Sequence, residues 1–330
     1  MRIPGGDAED LNDVKEIRID DRGRIVLAGW DYAGPGTAST KLVRLLADGR
    51  RDGSFGERGI VLLDVEPGRS EYLAGMVIQP TGRIVLGGTY STGPQPRDTA
   101  VYLAALTTTG EPDLTFGDAG TTRTALGRRS SINDLQMTQQ GRLVGAGFVR
   151  HGDQLAVARW RANGSLDRSF GERGVVRTSF RSVTNAYRVA VAPDGTLIVG
   201  ASRDPSTHAG PALLRLTLDG AIDPSYGEDG LADLDDEPFG APDALVVQPD
   251  GKAIAVHETG FPSNDVLITR LGTDGTRDPT FGDDGDATIL TGDDDRAWHI
   301  ALDPAGRLLV TASIEEPREP RRAVVLRVLT

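Results

Sequence analysis

The four histidines are the side chains of this sequence best suited to acid–base chemistry near neutral pH, because an unperturbed imidazole titrates at about pH 6.5. They are His151, His208, His257 and His299. The last two are the pair that would serve as general acid and base of a hydrolase or lyase, with nearby carboxylates as orienting groups or metal ligands. The chain has no cysteine, which excludes disulfides, thiolate catalysis and zinc sites with cysteine ligands.

A second set of candidates combines charge with flat aromatic surface. It consists of Asp134, Tyr187, Arg188, Asp243, Glu258 and Trp298. Aromatic rings with a few polar groups are the usual lining of a small-molecule site. The structural alternative is a row of salt bridges around a water-filled channel. The sequence leaves both interpretations open and predicts that these residues, with His257 and His299, form the wall of a ligand-binding pocket.

Two acidic runs are candidates for a cation site, because Ca²⁺ is bound by clustered oxygen ligands. The first contains Asp233, Asp235, Asp236 and Glu237, and the second contains Asp293, Asp294 and Asp295. Neither run has the D-x-D-x-D-G spacing of a calcium loop, so a solvated acidic rim is the preferred interpretation. No cofactor is evident and metal ligands are unassigned, with Ca²⁺ left open.

Recognisable catalytic motifs are absent from the sequence. It contains no G-x-S-x-G elbow, no H-E-x-x-H pair and no P-loop. A binding protein for a small molecule or a protein partner is therefore the favoured function, and the histidine-dependent hydrolase or lyase is the alternative.

An internal repeat positions all of these side chains. A glycine followed by a basic or polar residue and an apolar run recurs every 54 to 59 residues, at Gly23, Gly82, Gly141, Gly195, Gly251 and Gly306. A second motif, here called the signature, has the form D-x-S-F-G-x-x-G and follows the first five glycines. The signatures are Asp52–Gly59, Asp113–Gly120, Asp167–Gly174, Asp223–Gly230 and Asp278–Gly285. Two motifs that keep one period identify a repeat protein.

Each repeat contains four short β-rich runs, and the first two are joined by a tight turn such as QPTGR. Four-stranded sheets that are apolar on both faces need neighbours on both sides, which a radial arrangement provides. The sequence predicts an all-β fold, a six-bladed β-propeller in one domain over residues 1–330. The repeat units are about 5–65, 66–125, 126–180, 181–235, 236–291, and 292–330 completed by 1–4, where the N-terminal strand pairs with strand 323–329.

The signatures resemble the delta-60 repeat family of bacterial β-propellers, whose hallmark is this L/I-D-x-S-F-G-x-x-G element. The resemblance covers essentially the whole chain. It implies the propeller fold and little chemistry, and members of the family are often extracellular or surface proteins. The N-terminus MRIPGGDAED has no apolar core segment, so as written it predicts no signal peptide and a cytoplasmic location if Met1 is the native start.

Residue types that occur in every repeat are predicted to serve the scaffold. The signature aromatics should fill spaces between blades; they are Phe55, Phe116, Phe170, Tyr226 and Phe281. The signature aspartates should form side-chain turns onto nearby amides. At the position of His257 the other repeats have glycine or alanine, so the sequence predicts that a His257→Gly variant folds normally and loses only binding or activity.

The variable loops should lie on one face of the propeller and the strand one–two turns and signatures on the other; we call these the loop face and the turn face. All four histidines fall on the predicted loop face, where binding is expected. The net charge of −12 and the scattered basic residues argue against nucleic-acid binding. No apolar run is long enough to span a membrane, so a soluble monomer is expected.

Overall fold

The computed structural model describes residues 13–32, 38–91, 99–150, 153–203, 210–234, 240–258, 265–289, 296–314 and 322–328. The chain divides into two compact units, one formed by Met1–His151 with Ala158–Arg168 and the other by Gly152–Val157 with Ser169–Thr330. The boundary falls within the third repeat.

The first three repeats each form one four-stranded antiparallel sheet in chain order. Blade 1 contains β1 (Asp13–Ile19), β2 (Ile25–Tyr32), β3 (Ala38–Leu45) and β4 (Ile60–Leu63). Blade 2 contains β5 (Glu71–Ile78), β6 (Ile84–Ser91), β7 (Thr99–Leu106) and β8 (Thr121–Thr124). Blade 3 contains β9 (Ser131–Met137), β10 (Leu143–Val149), β11 (Gln154–Trp160) and β12 (Val175–Thr178).

The last three repeats follow the same plan. Blade 4 contains β13 (Val183–Val191), β14 (Leu197–Arg203), β15 (Pro211–Leu216) and β16 (Leu231–Asp233). Blade 5 contains β17 (Ala244–Val247), β18 (Ala253–Glu258), β19 (Val266–Leu271) and β20 (Asp286–Ile289). Blade 6 has three strands in the described residues, β21 (Arg296–Leu302), β22 (Leu308–Ile314) and β23 (Arg322–Val328).

The fold is a six-bladed β-propeller, as the repeat predicted. Within the described residues the only helix is one 3₁₀ turn, Phe180–Ser182. The first strand of one blade packs against the first strand of the next, β1 on β5 and β5 on β9 in the first unit, and β13 on β17 and β17 on β21 in the second. The predicted closing strand, residues 1–4, lies outside the described residues, so its pairing with β23 stays a prediction.

A β-bulge interrupts the first strand of five blades at the same repeat position. The extra residue of the bulge lies between two residues whose strand register shifts, and it is Lys15, Ala74, Asn133, Tyr187 or Trp298. In blade 2 the opposing residue of strand two must be glycine, since a Cβ on Gly88 would lie 2.2 Å from the carbonyl oxygen of Tyr72. Bulges re-aim side chains, so this position projects differently from the rest of the strand.

The signature of one blade interlocks with the turn between strands three and four of the next. The first signature glycine donates its backbone N–H to a carbonyl of that turn: Gly56 to Thr109, Gly117 to Asn163, Gly171 to Asp219 and Gly227 to Asp274, at 2.7–2.9 Å. All five signature aromatics are buried, at 0–3% exposure. The expectation that these rings serve the scaffold is therefore confirmed.

The signature aspartate organises each of these corners. In blade 1, Asp52 accepts hydrogen bonds from the amide and hydroxyl of Ser54 through Oδ1, and from Nε of Arg44 through Oδ2. Arg44, from strand three, also stacks over the Phe55 ring at 4.3 Å. Equivalent turns occur at Asp113, Asp223 and Asp278. The predicted side-chain turns are confirmed. Burial raises the pKa of Asp52, but the hydrogen bonds from Ser54 and the charge of Arg44 outweigh burial and hold the pKa below its usual value.

Candidate functional site

The site predicted from the sequence lies where the first strands of blades 4, 5 and 6 begin, all within the second unit. Tyr187 and Trp298 occupy the bulge position of β13 and β21, and Asp243 immediately precedes β17. Glu258 ends β18. We call Arg188, Asp243, Glu258 and Arg296, whose charges interact, the axial charge cluster.

Arg188 connects blade 4 to blade 5. Its Nε donates to the carbonyl oxygen of Asp243 at 2.6 Å, and its Nη1 donates to the carbonyl oxygen of Tyr187 at 2.9 Å. The guanidinium is thereby fixed beside the start of β17. A cation held in a defined position next to carboxylates can orient a polar ligand.

The Asp243 carboxyl has a strongly raised pKa. Its pKa is raised from 3.8 to about 7, first by burial and then by the negative charge of Glu258, while Arg188 and Arg296 oppose the rise. The charge of the Asp243 carboxyl therefore changes near neutral pH. Perturbed groups of this type are concentrated at functional sites, although structural ion pairs produce them as well.

The aromatic and imidazole groups of the predicted site differ in exposure. Trp298 is 51% exposed, His299 is exposed, and Tyr187 and Arg188 are partly buried. The carbonyl oxygen of His299 lies 3.4 Å from Thr311 Oγ1, which donates to it. Trp298 therefore offers an open apolar surface in the strand that carries Arg296 of the axial charge cluster.

His257 has a different environment, because its side chain is completely buried. Its Nε2 lies 3.3 Å from Thr269 Oγ1, and that hydroxyl donates to Asp286 Oδ1 at 2.7 Å. A hydroxyl has one hydrogen, so Nε2 carries the proton in this hydrogen bond. The chain of bonds runs from β18 through β19 to β20, which ties the imidazole to the blade and gives it a structural role.

The other predicted residues are spread more widely. Asp134 is buried in β9 of the first unit, where its Oδ1 accepts from Gln136 Nε2 at 3.2 Å. His151, His208 and the acidic stretches 235–237 and 293–295 lie outside the described residues. Among the described residues, no group of three or more histidines and carboxylates is arranged to hold a metal ion. The Ca²⁺ alternative stays a prediction.

Two features escaped the sequence reasoning. Arg296 lies two residues before Trp298, and its charge alone did not separate it from other surface arginines. A cavity between blades 4 and 5 on the turn face was also missed; Thr196 and Tyr226 are in its wall. The sequence did contain a signal for this cavity, because Thr196 replaces a basic residue and Tyr226 replaces a phenylalanine of the other repeats.

The raised pKa of Asp243 predicts a specific pH dependence of stability. Between pH 4 and pH 7 the folded state holds a proton that the unfolded state has lost, so stability falls as pH rises, by up to about 1.4 kcal/mol per unit. An Asp243→Asn variant has no carboxyl that must lose its proton in the folded state. Its free energy of unfolding should therefore equal that of the wild type at pH 4 and exceed it at pH 8. Urea denaturation of both proteins at several pH values measures the difference, and parallel curves would contradict it.

A family model for a β-propeller domain of unknown function, DUF5122, matches residues 23–55, 192–226 and 248–281. Each matched segment runs from the region of the first hairpin turn to the signature aromatic. The three segments cover under a third of the chain, and they lie in blades 1, 4 and 5. A search of curated proteins found no match.

Similar solved structures are distant in sequence. Hydrazine synthase of Kuenenia stuttgartiensis is 14% identical with a TM-score of 0.51, over 95% of this chain and 80% of that one. A glucose dehydrogenase is 13% identical with a TM-score of 0.50, over 91% and 94% of the two chains. A neuraminidase-like protein of subtype N10 from a little yellow-shouldered bat virus is 10% identical with a TM-score of 0.50, over 96% and 95%.

These likenesses concern the fold, since one scaffold hosts unrelated functions. Within the part of the chain that the structure describes, no helix is both long and apolar enough to cross a membrane. The geometry and the comparisons together identify a repeat-built, six-bladed β-propeller with a β-propeller family match in three of its blades.

Proposed function

We propose that this chain is a non-enzymatic binding propeller that holds a small polar molecule at the axial charge cluster on its loop face. The observation that supports this most directly is the Asp243 carboxyl, which is partly buried, feels the charges of Glu258, Arg188 and Arg296, and has its pKa raised to about 7. Keeping such a group away from water costs free energy. A ligand that hydrogen-bonds it would recover that cost.

The aromatic surface nearby suits the same ligand. Trp298 and Tyr187 sit at bulges, where the side chain is released from the regular strand pattern. A half-exposed indole beside fixed charges offers apolar contact on one side and polar contacts on the other. Both charge signs occur, so the ligand should carry donor and acceptor groups.

The proposal treats the chain as a monomeric, single-domain member of the delta-60 repeat family. The support is the signature, which is present in five of six repeats and forms its aspartate turn in blades 1, 2, 4 and 5. Because that element serves the scaffold, the family likeness supports no particular reaction. The ligand must be sought at positions that differ between blades.

A thermal-shift screen of polar metabolites, with Ca²⁺ as a separate probe, tests the proposed function. A ligand at about 100 times its Kd should stabilise the folded state by about 2.7 kcal/mol. The shift should disappear in Trp298→Ala and persist in Tyr72→Ala, a matched control in which the lost ring is also 51% exposed. If no compound shifts the wild type, or a hit shifts Trp298→Ala equally, the proposal fails. Mass analysis of each hit after incubation reveals turnover, which would favour the hydrolase or lyase alternative.

A further inference from the structure

The repeat defines what normally fills the corner between a hairpin turn and the signature of the same blade. The residue after the turn glycine is basic in five blades, namely Arg24, Arg83, Arg142, Lys252 and Arg307, and it is Thr196 in blade 4. These positions are structurally equivalent, because each carbonyl accepts the N–H of the residue four places earlier. Blade 4 alone therefore lacks a cation at this point.

In blades 1, 2, 3 and 5 the basic side chain reaches the signature aspartate of its own blade, whereas blade 6 has no signature and Arg307 pairs with Asp303. Arg83 Nε donates to Asp113 Oδ2 at 2.7 Å, and its terminal nitrogens donate to Thr115 Oγ1 and the Ala162 carbonyl oxygen. Lys252 Nζ lies 2.9 Å from Asp278 Oδ2. In blade 5 the same carboxylate also pairs with the strand-three arginine, Arg270, at 2.8 Å. The corner thus accepts a second cation beside the strand-three arginine.

In blade 4 this space is a cavity of about 190 Å³. Its wall includes Ala192, Thr196, Arg215, Tyr226, Asp250 and Thr273. The residue equivalent to Ala192 is Gln79 in blade 2 and Gln248 in blade 5, so two short side chains together leave the space. The volume is roughly six times the share of one water molecule in the liquid, about 30 Å³.

The charges around the cavity favour a cation. Asp194 and Asp250 are exposed residues of its wall, and Lys252 Nζ lies 3.8 Å from Asp250 Oδ2. The donors of Arg215 are engaged within the protein, with Nε on Asp223 at 2.8 Å, Nη2 on Ser225 Oγ at 2.8 Å, and Nη1 on the Thr273 carbonyl oxygen. Asp223 keeps 19% of its side chain exposed, compared with 7% for Asp278, which has both cations. Each nitrogen of Arg215 already makes one hydrogen bond within the protein, whereas a cation would meet the carboxylates of Asp194 and Asp250 in the cavity wall.

A second departure from the repeat points to a polar occupant. Tyr226 stands where the other four signatures have phenylalanine, and its ring contributes to the cavity wall. The ring is 1% exposed, and its hydroxyl has no hydrogen-bond partner in the described part of the chain. A buried hydroxyl without a partner costs free energy, which a hydrogen-bonding ligand or its water would recover.

We propose that the cavity between blades 4 and 5 binds a guanidinium or ammonium group on an alkyl arm, in the place that the repeat's basic side chain fills in the other blades. The group would lie between Asp223 and the carboxylates of Asp194 and Asp250. It would be carried either by a free amine-bearing molecule or by a basic side chain of a peptide. This site lies on the turn face, separate from the axial charge cluster.

Titration of the wild type with n-butylguanidinium by calorimetry tests the proposal, with neutral n-butylurea as the isosteric control. Saturable binding of the cation and none of the urea is expected. Thr196→Arg supplies the missing side chain and should weaken binding at least tenfold while raising the melting temperature; Thr196→Ser should bind as the wild type does. Equal binding by wild type and Thr196→Arg, or equal binding of cation and urea, would overturn the site.

A variant that gains binding shows that a loss of binding in Thr196→Arg is not caused by misfolding. Arg142→Thr opens the equivalent corner of blade 3 and should acquire binding of n-butylguanidinium, together with partial recovery of its melting temperature. Failure of a folded Arg142→Thr to bind counts against the proposal.

The capped peptides Gly-Arg-Gly and Gly-citrulline-Gly distinguish the source of the cation. Binding of the arginine peptide tenfold tighter than butylguanidinium assigns a peptide side chain, and equal or weaker binding assigns a free amine.

Discussion

Replacement of Phe170 by alanine is expected to lower the free energy of unfolding by about 3–5 kcal/mol, the range for emptying a buried aromatic site. Phe170 is fully buried. Its ring reaches the turn of blade 4, where a Cβ on Gly220 would lie 2.9 Å from Phe170 Cε2, and Gly220 has a φ of +90°. Because the Phe170 ring and this turn are closely packed, we expect that the turn cannot move into the space left by the ring. The cavity created by the substitution should therefore stay empty. Urea denaturation monitored by circular dichroism measures the loss.

The matched control is Leu218→Ala in the neighbouring turn of blade 4. Leu218 is 58% exposed, so its truncation should change stability by under about 0.5 kcal/mol. Equal stability of Phe170→Ala and the wild type would show that the signature aromatic does not join the blades.

The second large effect is expected for Asp52→Ala. The carboxylate holds Ser54 and the guanidinium of Arg44, which is 1% exposed, so its removal leaves a buried cation without its partner. Loss of one member of a buried pair costs about 3–5 kcal/mol. Asp52→Asn should cost less, since an amide oxygen can still accept the Ser54 amide hydrogen bond. Denaturant unfolding of both variants gives the two values.

A control of equal geometry lies in the same blade. Asp48 and Arg50 form an ion pair at 2.8 Å, the distance between Asp52 and Arg44, but their side chains are 52% and 77% exposed. Exposed pairs contribute at most about 1 kcal/mol. Asp48→Ala should therefore be close to the wild type, and a loss as large as that of Asp52→Ala would mean that burial does not set the strength of these pairs.

The scaffold was predictable because each of its features recurs. The structural roles of Phe170 and Asp52 could be predicted without any structure, because the same residue types recur in all five copies of the signature. A residue type that recurs in this way contributes to the scaffold common to the blades. The strands, their order and the tight turns followed from the same period. The closing role of residues 1–4 and the positions of His151 and His208 lie outside the described residues and stay predictions.

Individual side chains at the candidate site were harder to assign. The repeat marked His257 as unusual, which suggested a functional group in the wall of a pocket and a tolerated His257→Gly change. In the structure the imidazole fills interior space and donates to Thr269, so the expectation of normal folding loses its basis. Pro242 has no N–H to donate to a neighbouring strand, and it lies just before β17, which is shorter than the first strands of the other blades. This shorter strand pairs with β18, in which His257 replaces the glycine or alanine of the other repeats.

The sequence by itself determined the fold class, the number of blades and the division between scaffold and variable positions, because these depend on periodic burial and turn chemistry that are local in the chain. Only the tertiary structure decided which variable residues act together. Arg188 lies in β13, Asp243 immediately before β17 and Glu258 at the end of β18, while Thr196 and Tyr226 are 30 residues apart. Their electrostatic coupling and the cavity depend on distances across neighbouring blades, which no spacing along the chain encodes.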